Sequence, residues 1–283
     1  MELLDKINKV SLAKKYSDQI ELIHYRSLPS KIGVYYFLSE DGALLYIGKS
    51  IDIKARIQSH LQTARIDARV ARMMQQTVKI GWIEYATELE ALIYENAEIK
   101  DCSPLFNRRQ RRLRKFWSWV FPSLHSTQLD LTAQSDTVPI FNQIRYGFFK
   151  SRRAAQSALL QLAKDADLCL KTIGLETGSG PCFGRQLKRC NGVCIGLESK
   201  IDFLNRMMEA LLPWQLEAWP YSDALCILDK NANVWHRINA WSYQGSFTTE
   251  EEARQYSAKL TYRFDRDEYH ILKRFILNHA DVK

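Results

Sequence analysis

The 283-residue chain predicts an α+β protein. A small mixed three-stranded antiparallel sheet with helices comes first, and a C-terminal α/β region with a four-cysteine metal segment follows. Three observations carry this reading. Between residues 31 and 48, apolar and aromatic residues alternate with period two on either side of Glu40-Asp41-Gly42, the pattern of a hairpin. Over 52–76 and 87–101 the period becomes helical, with one strand-like run at 79–85 between them. Farther on, Cys169, Cys182, Cys190 and Cys194 crowd around the glycine-rich loop at 174–184.

Residues 1–26 hold two short amphipathic patterns, Leu3, Leu4, Ile7 and Val10 and then Ile20 with Ile23, and are expected to form a helical lead-in. Val34, Tyr36 and Leu38 then alternate with Gly33, Tyr35 and Phe37, and residues 43–48 return as the second strand. Asp52 can cap a helix running to about Leu61, with Ile53, Ile57 and Leu61 as its apolar stripe. A second helix follows over 68–76. Thr87-Glu88-Leu89-Glu90 is a capping box, opening a helix to about Asp101 that stops before Pro104. The order is β-β-α-α-β-α, and the first domain is drawn at 27–107. Residues 108–116 read as a basic linker and 117–283 as the C-terminal region. There, 116–120 and 139–145 read as extended, 152–166 and 204–212 as helices, 223–228 and 234–241 as strands, and 249–260 as a capped helix.

No apolar run approaches membrane-spanning length, and the N-terminus lacks the apolar core of a secretory signal, so a cytoplasmic protein is expected. The formal charge is +8, from 40 Lys+Arg against 32 Asp+Glu, and the surplus is unevenly placed. Arg108, Arg109, Arg111, Arg112, Arg114 and Lys115 put six cations into eight residues, and no acidic residue stands between Asp101 and Asp130. Such a block suits phosphate contact with counterion release, as on double-stranded DNA.

Glu95 lies in the apolar column of its helix, with Ala91, Leu92 and Ile99 as neighbours. A carboxylate there takes up a proton or a cation, unless it reaches water at the edge of the stripe. A hard divalent ion such as Mg²⁺ or Mn²⁺ resolves the cost and keeps waters for a phosphate to displace. Arg56 and His60, four residues apart, share one column beside Ile53 and Ile57. They can cover the rim of a core, or face a groove with Lys49 and hold a phosphodiester.

These residues together resemble the GIY-YIG nuclease family. Gly33-Val34-Tyr35 matches the first triplet, with valine for the usual isoleucine, and Tyr46-Ile47-Gly48-Lys49 matches the second with its lysine. Arg56 follows Lys49 by seven residues, Glu90-Ala91-Leu92-Ile93-Tyr94-Glu95-Asn96 is similar to the metal-glutamate helix, and Pro104-Leu105-Phe106-Asn107 to the closing motif. The resemblance implies a metal-dependent endonuclease. In it Glu95 is the protein ligand of one divalent ion, and Arg56 neutralises the phosphoryl group. A tyrosine activates water, and Asn107 positions its neighbours by hydrogen bonding. Free tyrosine titrates near ~10, so the base needs help, and Lys49 is expected to supply it. Tyr35 and Tyr46 are both candidates, with Tyr46 preferred as the nearer to Lys49. His60 stands where relatives often carry tyrosine, and its role is open.

The cysteine spacing C-x12-C-x7-C-x3-C supplies four thiolates, enough for tetrahedral zinc or an iron–sulfur cluster. With Arg145-Tyr146-Gly147-Phe148-Phe149, Pro181-Cys182 and Arg189-Cys190, this segment resembles the middle part of the excinuclease UvrC, which implies a [4Fe–4S] cluster, with Zn²⁺ as the alternative. Cys102 and Cys226 are expected to be buried thiols. The length resembles the shorter UvrC homologues of the Cho family. That resemblance implies incision on the 3′ side of a lesion in damaged double-stranded DNA loaded with UvrB. Homing or junction-processing GIY-YIG enzymes lack such a cysteine segment. An inactive DNA- or UvrB-binding adaptor would lose Glu95 or Arg56, and both are present.

Overall fold

The computed structural model describes residues 8–11, 27–107, 115–123, 126–135, 144–257 and 264–279. β1 (Asn8–Ser11), β2 (Gly33–Leu38), β3 (Leu44–Ser50) and β4 (Lys79–Glu84) form an antiparallel sheet in the order β1-β4-β2-β3. The expected three-stranded sheet is β4-β2-β3, and β1 extends it at the edge. The described part of the expected N-terminal helix is therefore a strand, bonded backbone to backbone along β4 with Asn8 opposite Trp82. Local amphipathicity over so few residues cannot choose between helix and strand, and the open edge of β4 does.

α1 (Ile53–Thr63) starts where Asp52 accepts the Ala55 N–H at 2.8 Å, and α2 (Ala68–Gln76) where Asp67 accepts Arg69 and Val70. Both cover one face of the sheet, packing Ile53, Ile57, Met73 and Met74 against Tyr35 and Phe37. α3 (Glu88–Cys102), opened by the Thr87–Glu90 capping box, covers the other face and packs Ala91 and Ile99 on Val34, Tyr36 and Ile47.

The described residues fall into two compact units, one within 1–112, 221–259 and 267–283, the other within 113–220 and 260–266. The second unit carries a sheet ordered β6-β5-β7-β8, from β5 (Lys115–Val120), β6 (Asp130–Ser135), β7 (Arg145–Phe149) and β8 (Gln215–Leu216). Helix α4 (Arg152–Asp165), a short α5 (Phe183–Gln186) and α6 (Lys200–Leu211) complete it. Leu159, Phe203 and Met207 share its core with Cys169, Cys182 and Cys190. The extended run expected at 139–145 lies outside the described residues as far as 143; the strand observed there begins at Arg145.

The rest of the chain returns to the first unit: β9 (Leu225–Asp229), β10 (Val234–Asn239) and β11 (Ser242–Phe247) form an antiparallel sheet, flanked by α7 (Glu250–Gln255) and α8 (Arg266–Asn278). The region read as one block at 117–283 is thus divided between the units. α7 ends sooner than the expected 249–260 helix, and neither β11 nor α8 is foreseen. β11 is half-buried along its whole length, so no alternation marks it.

Candidate active site

Strand alternation sends Tyr35, Phe37 and Tyr46 to the face under α1, and Val34, Tyr36 and Ile47 to the face under α3. Both triplet glycines are explained by close approach. A Cβ on Gly48 would strike the Tyr35 hydroxyl and stand 2.8 Å from Tyr46 Cε1. One on Gly33 would strike the Ile83 carbonyl oxygen of the neighbouring strand. The bare backbone at Gly48 is what lets the two phenols converge.

Around them, α1 contributes Arg56 and His60. The Tyr35 hydroxyl lies 2.7 Å from His60 Nε2, and the Tyr46 and His60 rings meet edge-on with centroids 5.5 Å apart. Burial, and then the Arg56 guanidinium, lower the His60 pKa to about 4, so the imidazole is neutral at pH 7. The tautomer of the neutral imidazole sets which of the two donates. Tyr35 is fully buried, and burial followed by the Tyr46 phenol pushes its pKa far up, while Arg56 pulls it back. Tyr46 is raised by burial and by Glu95, and lowered by hydrogen bonds from Tyr35 and Arg56. Arg56 itself is exposed, with its hydrogen bond to Tyr35 holding the guanidinium more firmly charged.

β3 is the outer strand of its sheet, and its outward peptide groups are taken in turn by later parts of the chain. Leu45 C=O accepts the Phe106 N–H at 2.9 Å. Ile47 donates its N–H to Asn107 Oδ1 at 2.9 Å, and its C=O accepts from Asn107 Nδ2 at 2.8 Å. Lys49 donates its N–H to Glu95 Oε1 at 3.0 Å. Glu95 therefore stands at the strand edge, near enough to act electrostatically on the Tyr46 phenol and on Arg56. It is half-buried, and burial raises its pKa against the opposing pull of the Lys49 amide, Lys49 and Arg56. A desolvated carboxylate with one oxygen already fixed fits a divalent cation, whose charge relieves the burial cost.

The expected action of Lys49 on the phenols is not what the geometry gives. Its ammonium pairs with Glu88 on the α3 side. Three residues along a strand is an odd step, so Tyr46 and Lys49 point to opposite faces. The cation at the phenols is Arg56. Two residues of the α3 face escaped the sequence reading: the Tyr36 hydroxyl donates to Glu98 Oε2 at 2.6 Å. Burial lifts the Glu98 pKa to about 7, against that hydrogen bond and with help from Asp101 and Glu95. The Tyr35-Tyr36 doublet was the available signal, since adjacent strand residues serve opposite faces.

In the second unit the sulfurs of Cys169, Cys182, Cys190 and Cys194 all lie within 4.8 Å of one another. Backbone N–H groups of Cys182 and Gly192 point at Cys194 Sγ and Cys190 Sγ, at 3.5 and 3.3 Å. Four thiols converging in a core fit a metal centre. Four such thiolates can hold tetrahedral zinc or an iron–sulfur cluster. Cys226 is buried, but Cys102 is exposed, as the last residue of α3 before the left-handed Ser103. Of the basic block, Arg108, Arg109, Arg111, Arg112 and Arg114 lie outside the described residues. Lys115 begins β5, exposed, with its ammonium 5.6 Å from the Trp117 ring centroid. No helix among the described residues is long and apolar enough to cross a membrane.

Three family models match in succession. They are a UvrC-like GIY-YIG domain over residues 31–108, the middle domain of UvrC/Cho excinucleases over 121–212, and an excinuclease Cho C-terminal domain over 228–283. Excinuclease Cho of Escherichia coli (strain K12) is 34% identical over 264 residues, which cover 90% of this chain and 87% of that protein. UvrABC system protein C of Gluconobacter oxydans is 29% identical over 187 residues, covering 65% of this chain and 28% of that protein. The magnesium-bound N-terminal endonuclease domain of UvrC from Thermotoga maritima matches at 30% identity and a TM-score of 0.27, over 29% of this chain and 90% of that one. The family models and the curated relatives define a UvrC-type GIY-YIG endonuclease, an enzyme of excision repair. Within that class, the agreement along nearly the whole length is decisive: the chain belongs to the excinuclease Cho family.

Proposed function

We propose that this endonuclease hydrolyses one phosphodiester on the 3′ side of a lesion in damaged double-stranded DNA loaded with UvrB. The reading is supported above all by the convergence of Glu95, Tyr46, Arg56, Tyr35 and His60 at the end of β3. Glu95 would hold one divalent ion, Mg²⁺ or Mn²⁺, which when bound would supply Lewis-acid stabilisation of the leaving oxygen. Arg56, exposed and charged, takes the non-bridging phosphate oxygens. Tyr46, having lost its own proton to solvent, takes a proton from the attacking water. The bond from that water's oxygen to phosphorus forms as the P–O bond to the leaving sugar oxygen breaks, and the leaving oxygen takes up a proton from solvent. Tyr35 stabilises the Tyr46 phenolate by donating its hydroxyl proton, and neutral His60, as the Nε2–H tautomer, donates to the Tyr35 oxygen. Lys49 acts through its backbone, orienting the carboxylate.

The basic residues 108–115 add sequence-independent phosphate contacts. The four-cysteine centre is structural. Resemblance to UvrC favours a [4Fe–4S] cluster, and the same four thiols also suffice for tetrahedral zinc. Anaerobically purified protein separates the two: brown with several irons per chain, or colourless with one zinc.

The test of the main reading maps the cut on an end-labelled damaged duplex, with and without UvrA and UvrB. A single UvrB-dependent incision 3′ to the lesion, lost in Glu95→Ala while DNA association persists, is expected. Cutting without UvrB, or on the 5′ side, overturns the repair assignment. Equal loss of DNA binding in Glu95→Ala overturns the metal role.

A further inference from the structure

The helix that bears Glu95 is held from behind at two points by the C-terminal part of the same unit. Near the start of α3, the buried Glu90 carboxylate accepts the Thr87 N–H and hydroxyl on Oε2, both at 3.1 Å. Its Oε1 accepts the Ser246 hydroxyl of β11. Near the end of α3, the Lys100 ammonium, with its side chain only 5% exposed, pairs with Asp267 Oδ2 of α8 at 2.8 Å. The two grips are about 15 Å apart along the helix, and they belong to one body. Tyr243 of β11 donates its N–H to Glu268 Oε1 of α8 at 2.7 Å. The Tyr243 hydroxyl meets His236 Nδ1 at 2.9 Å, and His236 packs edge-on against Phe275 of α8.

Helical geometry gives these grips a direction. Successive residues turn by about 100°, so Glu95 points about 140° away from Glu90 in one sense and from Lys100 in the other. The site carboxylate thus projects opposite the midpoint between the two grips. Burying an ammonium and a carboxylate is weak evidence for stability, but it fixes register well, because any other rotation leaves a buried charge unpaired. A turn of α3 by one residue would break both grips and swing Glu95 out of line with the Lys49 amide.

We infer that residues 225–257 and 267–279 form a rotational clamp on α3 that aims Glu95 at its metal ion, with Ser246 and Asp267 as positioning residues of the nuclease. This rests on the reading of Glu95 as the metal carboxylate.

The test uses the full-length chain with Ser246→Ala, Asp267→Asn and the conservative Ser246→Thr. Mn²⁺ affinity without DNA is read by calorimetry, the kcat and KM of cleavage separately, and folding by urea titration. Loss of supporting partners behind a metal ligand typically weakens affinity about 10–100-fold. A drop of that order in Mn²⁺ affinity and kcat is expected for Ser246→Ala, with KM for DNA unchanged and recovery in Ser246→Thr. Lower urea resistance with wild-type Mn²⁺ affinity and kcat means a merely structural contact and overturns the clamp. If Asp267→Asn fails to fold, the Ser246 pair decides. Mn²⁺ binding lost in Glu95→Ala but intact in Ser246→Ala overturns the clamp alone; binding intact in Glu95→Ala overturns both readings.

Discussion

Replacing Asn107 separates a positioning amide from an acid. Asn107 is 6% exposed, and its side chain pairs with both backbone groups of Ile47, a residue with no exposed surface. Asn107→Ala leaves that N–H and that C=O without partners on a covered strand edge. Each buried orphan costs about 1–3 kcal/mol, so the loss should be about 2–6 kcal/mol. Asn107→Asp keeps the acceptor for the Ile47 N–H but sets a carboxylate against the Ile47 C=O, so it should lose at least as much. Urea unfolding of the full-length chain measures both. Because Ile47 stands between Tyr46 and Gly48, cleavage by either variant should slow even where both are folded. A loss under about 1 kcal/mol in Asn107→Ala would refute the reasoning. So would an Asn107→Asp enzyme that keeps its rate and gains a new acid limb in its pH profile.

Gly48→Ala should destabilise the first unit by about 1–3 kcal/mol through overpacking against the Tyr35 phenol, and should slow the chemical step. Wild-type melting and single-turnover rates in that variant would exclude the close approach. His60 predicts an acid-sensitive fold: its folded pKa of about 4 lies below the ordinary value of 6.5, so the unfolded chain takes the proton first. Its stabilisation is complete above about pH 6.5 and is lost as pH falls through about 4. His60→Phe should flatten that window; identical declines in urea midpoint between pH 7 and 4.5 would remove His60 as the cause. Cys190→Ser should cost the chain its bound metal by elemental analysis and loosen the second unit, whose core it shares; full metal content would show that three thiolates suffice.

Features governed by neighbours in sequence were legible. The hairpin, the Asp52 and Thr87 caps and the α2 boundaries follow from alternation and capping chemistry, which act within a few residues. The ordered motifs from Gly33 to Asn107 were enough to indicate a GIY-YIG nuclease. Lys49 shows a signal present but misread, since an odd step from Tyr46 already sends its side chain to the other face. β11 and α8 left too weak a local pattern. They are held in place by Ser246 meeting Glu90 and Asp267 meeting Lys100, pairings of residues far apart in the chain.

By itself, then, the sequence determined the residue types of the site, their order and the class of enzyme, because local periodicity and motif spacing are written along one dimension. Only the tertiary structure decided that Arg56 of α1 is the cation at the phenols, that Asn107 and Glu95 cap the outer edge of β3, and that the C-terminal strands back the glutamate helix. Those outcomes depend on which buried polar groups find partners once distant segments meet, and no stretch of the chain read alone contains that information.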